Sequence, residues 1–151
     1  MAGRGMIAVD TNILVHAHRR SSPHWHHAFG LLQEFAHGSE FWAIPWPCCY
    51  EFLGVTTNRR IWGDTVSTTE QAWRQLEAWT ASPSCRQIGE TAGFMDTLSE
   101  IVNRPNVRGP MMHDAKIAAI CVAHGVEALL TCDRDFSRFP ELVTRNPLVA
   151  R

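Results

Sequence analysis

The sequence predicts an α/β domain, a three-layer sandwich in which a mostly parallel sheet of about five strands carries helices on both faces. Three observations carry that expectation. Short apolar or β-branched runs alternate with stretches of helical periodicity, the pattern of parallel strands joined by crossover helices. One helical stretch, Ala115-Lys116-Ile117-Ala118-Ala119-Ile120-Cys121-Val122-Ala123, is apolar almost all round and should be central and buried. A chain of 151 residues, 45% of them hydrophobic and six of them tryptophan, suits one domain with a single core.

Ile7 to Val9 is a short buried strand that ends abruptly at Asp10. Asp10, Thr11 and Asn12 are N-cap residue types, so a first helix runs from Thr11 to about His18. Ser22-Pro23 restarts the chain, with serine as N-cap and proline at the first helical position. Trp25, Ala28, Phe29, Leu32, Phe35 and Ala36 keep helical spacing until Gly38. Phe41 to Ile44 reads as the second strand. Pro45 and Pro47 close it and open a third helix near Cys48 that runs to about Asn58. Arg59 to Asp64 is expected to be a loop. Ser67-Thr68-Thr69-Glu70 reads as a capping box. It leads a helix with Ala72, Trp73, Leu76 and Trp79 on one face, broken at Ser82-Pro83. Cys85 to Ile88 is a third strand, and Phe94, Met95, Leu98, Ile101 and Val102 mark a helix that stops before Pro105. Arg104 to Met112 is the most loop-like stretch. His113-Asp114 then starts the buried helix, which Gly125 caps. Val126 to Thr131 is a fourth strand running into Cys132-Asp133-Arg134-Asp135-Phe136, and Leu142 to Thr144 is a short fifth.

Composition excludes some classes. No apolar run approaches the roughly 18 residues of a membrane helix, and the N-terminus does not resemble a signal peptide. A cytoplasmic protein is expected. Met6 could be the native start, which makes residues 1–5 a short extension, 6–147 the domain and 148–151 a tail. The five cysteines lack C-x-x-C spacing and read as reduced core residues. A net charge of −1 gives no overall attraction to nucleic acid. The positive charge is almost all arginine, with Lys116 the only lysine; arginine suits bidentate phosphate contacts.

Asp10 and Asp133 each end a strand, Asp114 opens the buried helix, and Glu51 lies at the edge of an apolar face on the third helix. Ligands bind beyond the carboxyl ends of strands in open α/β sheets. Carboxylates gathered there repel one another and raise each other's pKa unless a cation compensates. A hard divalent ion, magnesium or manganese, suits an all-oxygen set. Taken singly, Asp10 and Asp114 could be N-caps, Asp133 a turn residue and Glu51 a solvated helix charge. The bland readings weaken together, because three of the four fall at one end of the inferred sheet.

The order Val9-Asp10-Thr11-Asn12, then Tyr50-Glu51-Phe52 on a proline-initiated helix, then His113-Asp114-Ala115-Lys116-Ile117-Ala118-Ala119, then Leu129-Leu130-Thr131-Cys132-Asp133-Arg134-Asp135-Phe136 resembles the PIN-domain ribonucleases. It is most similar to the VapC-type toxins of bacterial VapBC toxin–antitoxin pairs. The resemblance spans about Met6 to Pro147. It implies a PIN-like sandwich and a magnesium- or manganese-dependent endoribonuclease. Such an enzyme hydrolyses RNA, transfer or ribosomal, to 5′-phosphate and 3′-hydroxyl ends and so inhibits translation. Asp10 and Asp114 map to the main metal ligands, and Glu51 and Asp133 complete the catalytic set. Asp135 is a supporting acid, often the N-cap of the following short helix. A VapB-like antitoxin whose C-terminal segment covers the acids, and a homodimer, are the implied partners.

Thr11 and Asn12 could orient Asp10, touch a phosphate or serve as caps alone. Candidate RNA contacts are Arg19, Arg20, Arg59, Arg60, Arg108, Lys116 and Arg134. Trp62 could stack on an unpaired base or serve core or dimer packing. His16, His18, His24, His26 and His27 read as a solvated face rather than a metal site. Rival readings are a non-catalytic module that binds RNA or antitoxin, and another Asp-based phosphohydrolase. A haloacid-dehalogenase-like phosphatase needs an acid where Asn12 stands, and a receiver domain needs its lysine after a late strand, whereas Lys116 is inside a helix.

Overall fold

The computed structural model describes residues 5–149. The expected extension over residues 1–5 lies almost wholly outside the described residues, as does part of the expected tail. Five parallel strands form one sheet in the order β3-β2-β1-β4-β5. They are β1 (Ile7–Val9), β2 (Trp42–Pro45), β3 (Cys85–Ile88), β4 (Ala128–Leu130) and β5 (Thr144–Arg145). β2 and β4, which flank β1, are buried throughout, while the edge strands β3 and β5 carry exposed residues. That is the burial expected of a parallel sheet covered on both faces.

The helices are α1 (Thr11–His18), α2 (Trp25–His37), α3 (Trp46–Thr56), α4 (Arg59–Trp62), α5 (Thr69–Thr80), α6 (Phe94–Val102) and α7 (Met111–Ala123). α1 packs against α2 and α3, and α3 against α5; α6 packs against α7, which lies on β2. The helical layers so formed make an α/β sandwich. α7 is central as expected, with Ala115, Ile117, Ala118, Ala119, Ile120 and Cys121 all buried. None of the described helices is long and apolar enough to cross a membrane.

Several boundaries move for identifiable reasons. Ser22 does not cap α2. Its hydroxyl accepts the His24 N–H at 3.1 Å in a turn of its own, and the helix begins at Trp25. The expected loop at 59–64 is the short helix α4, capped by Asn58, followed by a 3-10 turn over Gly63–Thr65. α3 stops at Thr56 rather than Asn58. The capping box sits one residue later than expected, because Thr68 and Gln71 exchange the reciprocal bonds. Trp73 is exposed and donates to Glu77 at 2.9 Å, since Ala72, Leu76 and Trp79 set the buried stripe and Trp73 lies roughly 100° round from it. α7 starts at Met111, so Asp114 stands in its first turn rather than at its cap. β4 is shorter than expected and β5 starts at Thr144 instead of Leu142.

The strand order decides where a site can form. The chain runs outward from β1 to β2 and β3, then crosses back to lay β4 on the other side of β1. The crevice beyond the carboxyl ends of β1 and β4 is therefore the switch point of the sheet, the usual ligand position in open α/β folds.

Candidate active site

Val9 pairs with Leu130, and the Asp10 amide donates to the Leu130 carbonyl at 2.9 Å. This register puts Asp10 and Thr131 side by side at the switch point. Asp10 is 5% exposed, and its carboxylate is held from four directions. One oxygen accepts the Thr11 amide at 2.8 Å and the Cys48 thiol at 3.5 Å. The other accepts the Thr131 hydroxyl at 2.7 Å and the Asn12 side-chain amide at 3.4 Å. Thr131 also accepts from Asn12 at 3.2 Å and from the Asp133 amide at 3.0 Å. The Asn12 carbonyl accepts the Cys132 amide at 3.1 Å. Asn12 and Thr131 thus tie the end of β1 to the end of β4. Burial still pushes the Asp10 carboxyl above its ordinary range, with Asp133 adding to the push.

Asp10, Glu51, Asp114 and Asp133 all line one cavity of about 270 Å³. β2 leads through Pro45 into α3 and so brings Glu51 to the rim. There Glu51 is an exposed residue rather than a sheltered one. Its carboxyl nonetheless sits above the usual range, from desolvation first and Asp10 second. Asp114, half-buried in the first turn of α7, is pushed up to about 6 by desolvation and then by Asp133, Asp10, Asp135 and Glu51. Asp114 is therefore the electrostatic centre of the set. Asp133 caps the 3-10 turn over Arg134–Arg138 by accepting the Asp135 amide at 2.8 Å. The cap role expected of Asp135 falls to Asp133.

The acids that gather as a group of three do not include Asp10. Asp114, Asp133 and Asp135 each place an oxygen within 4.8 Å of the others. Asp135 is exposed and does not line the cavity, so it meets Asp114 and Asp133 from outside. Among the described residues, no ion pair involves any of these five acids. Thr11 Oγ1, on the same cavity wall, is buried, and its hydroxyl faces the Glu51 carboxylate and the Cys48 thiol. Carboxylates gathered in one cavity, with no ion pair to any of them among the described residues, are the feature of a site built for a cation.

The expected RNA contacts fare unevenly in geometry. The Arg19 guanidinium lies 3.7 Å over the Trp62 ring and donates to the carbonyl and hydroxyl of Thr65. Arg59 pairs with Asp64, Lys116 lies 3.6 Å from Glu90, and Arg20 stands over Trp25 at 5.4 Å. Arg60, Arg108 and Arg134 are exposed and in no ion pair among the described residues. The solvated histidine face divides as well. His24, His26 and His27 are exposed, but His16 and His18 are partly buried and hydrogen-bonded, His16 to Ser22 and His18 to Gln75 and Ser67.

Thr131 and Cys48 escaped sequence reasoning, because nothing in a lone threonine or cysteine reveals which carboxylate it meets across the sheet. Thr131→Val should cost about 1–3 kcal/mol, since the change takes the 2.7 Å donor from the buried Asp10 carboxylate and leaves the Asp133 N–H without its acceptor. A thermal melt reads this directly. A variant as stable as the native chain would mean that water replaces the hydroxyl at no cost.

A family model described as PIN domain matches residues 7–142. The chain is 31% identical to ribonuclease VapC48 of Mycobacterium tuberculosis over 138 residues, covering 91% of this chain and 94% of that one. It is 29% identical to ribonuclease VapC43 of the same organism over 143 residues, covering 95% and 96%. Among solved structures it resembles M. tuberculosis VapC20, a sarcin–ricin loop cleaving toxin, with a TM-score of 0.62 at 19% identity over 87% of this chain and 92% of that one. It also resembles VapBC2 of Rickettsia felis, solved bound to a DNA fragment from their promoter, with a TM-score of 0.64 at 20% identity over 93% and 98%.

Proposed function

The chain belongs to the PIN domain family and is of its VapC type, and from that premise we propose that it is a divalent-metal-dependent endoribonuclease. It would serve as the toxin of a type II toxin–antitoxin pair. The observation that carries this reading is the cavity lined by Asp10, Glu51, Asp114 and Asp133, none of them in an ion pair among the described residues.

Magnesium or manganese fits this donor set, because hard divalent ions take oxygen ligands and would offset the burial and the neighbouring carboxylates that raise the pKa of Asp10, Glu51 and Asp114. Asp10 and Asp114 would hold the ion, with Asp133 and Asp135 supplying the further oxygens near Asp114. When bound, such an ion lowers the pKa of water and offsets charge on the phosphoryl oxygens. The side chains do the rest. Thr131, Asn12 and the Thr11 amide fix the Asp10 carboxylate, so that no reorganisation is needed as charge develops. Glu51, at the rim with a raised pKa, accepts the proton of the attacking water. The products are a 5′-phosphate and a 3′-hydroxyl. Transfer or ribosomal RNA is the substrate class, and its cleavage stops translation. A VapB-like antitoxin covering the acids is the partner, and the toxin acts as a homodimer.

Purified, antitoxin-free protein incubated with total cellular RNA tests this. Discrete fragments bearing 5′-phosphates should form with magnesium or manganese and not with a chelator. A folded protein that binds the ion yet cuts nothing with either metal would instead be a binding module.

A further inference from the structure

The cavity of the acids continues past them. Val15, His16 and Trp62 line it and also line a second cavity of about 230 Å³, whose other lining residues are Arg19, Ser21, Ser22 and Pro23. Trp62 is therefore a shared wall between the carboxylates and this second space. The groups around it are held rigidly. The Trp62 indole N–H donates to the Val55 carbonyl at 2.8 Å. Arg19 covers the ring at 3.7 Å and is pinned by Thr65 at 3.1 and 2.9 Å. Arg19 Nε is buried and donates to nothing among the described residues. His16 Nδ1 lies 2.7 Å from the Ser22 hydroxyl, while Nε2 makes no hydrogen bond among the described residues.

An aromatic face backed by a guanidinium plane, with a few directional polar atoms at the margin, is the chemistry that receives an unstacked base of single-stranded nucleic acid. The volume agrees. At about 230 Å³ it lies below the roughly 300–1,000 Å³ of pockets for drug-sized ligands, a size that suits one ring system. We propose that this second cavity is a nucleobase subsite. It takes one unpaired base of RNA from the nucleotide beside the phosphodiester held at the acids. The base packs against Trp62 and Arg19, and its polar edge meets His16. Arg19 then serves as a stacking plane rather than a phosphate clamp, and a duplex cannot enter. The proposal rests on the nuclease reading for its substrate.

Its test is a binding measurement that needs no catalysis. Asp114→Asn protein without divalent ion is titrated into a labelled random-sequence single-stranded RNA of eight nucleotides and into a duplex of the same length. The single strand should bind more tightly. Adding Trp62→Leu should weaken it by about tenfold, within the range for loss of a base–aromatic stack. Trp62→Phe, which keeps a ring but loses the Val55 bond, should retain most of the affinity. Pro23→Phe, which crowds the second cavity from a residue that does not line the cavity of the acids and leaves Trp62 in place, guards against a folding defect in Trp62→Leu and should weaken binding similarly. Unchanged single-strand affinity in either Trp62→Leu or Pro23→Phe, or equal affinity for duplex, would overturn the subsite and leave the nuclease reading intact. Conversely, base-dependent binding with no metal-dependent cleavage by the native chain would sink the nuclease reading alone.

Discussion

Asp114→Asn should abolish RNA cleavage and at the same time stabilise the metal-free protein. The loss of activity is expected to be on the order of a thousandfold in kcat/KM, about 4 kcal/mol of transition-state stabilisation, because Asp114 interacts with every other acid of the site. The gain in stability follows from the same position. Its carboxyl is pushed up to about 6 in the folded chain, against an unfolded value of about 3.9. Between those values the folded state holds more protons than the unfolded one. Stability from this group is thus present below about pH 4 and lost as pH rises to about 6. At pH 7.5, in chelator, the asparagine variant should melt roughly 2–4 °C above the native chain, the shift for about 1 kcal/mol in a protein of this size. That figure is already discounted for the partial exposure of Asp114. Burial lowers the pKa of His16 and His18, so they titrate in the opposite sense. Both histidines remain in the variant, so the difference between the two melting curves isolates Asp114. A variant that is less stable in chelator at pH 7.5, or that cuts within tenfold of the native rate, would contradict this account. Stability given up for function is expected where like charges are gathered for a ligand.

Phe52→Ala should have the largest effect on stability. Phe52 is fully buried and meets Trp79 edge-on at 5.1 Å and His18 at 5.4 Å. It therefore joins α3 to α5 and α1. Truncation should cost about 3–5 kcal/mol, from lost burial and from a cavity that three rigid helices cannot close. The thermal midpoint should fall by about 10 °C. Because Glu51 is the neighbouring residue, cleavage per folded molecule should fall too, once α3 is free to shift. A loss below about 1 kcal/mol would show that the surrounding helices repack around the gap.

Much of this was legible from the chain alone, for physical reasons that are local. Ile7 to Val9 and the run before Thr131 are short and apolar, so they read as buried strands whatever surrounds them. α7 is apolar on every side, so it reads as central. The acids stand out because they interrupt those runs. Element ends were less legible. Ser22, Ser67 and Asp114 are all competent caps, yet Thr68 caps α5 in place of Ser67, and the N-cap positions of α2 and α7 fall at His24 and Pro110, which make no side-chain cap bond. α4 has only four residues and is held by Asn58 and by the Trp62 bond to Val55, contacts with no periodic signature.

By itself, the sequence determined the alternation of strands and helices, the parallel sheet and the four acids that reach one cavity, since each rests on hydrophobic pattern or on charge set within an apolar run. Only the tertiary structure decided the strand order that makes β1 and β4 neighbours, and with it the contact of Thr131 with Asp10. It also decided that Asp135 joins Asp114 and Asp133, and that Arg19 lies on Trp62 instead of reaching into solvent. Those contacts join residues far apart in the chain, and their partners are chosen by how the layers pack rather than by any preference that one residue expresses alone.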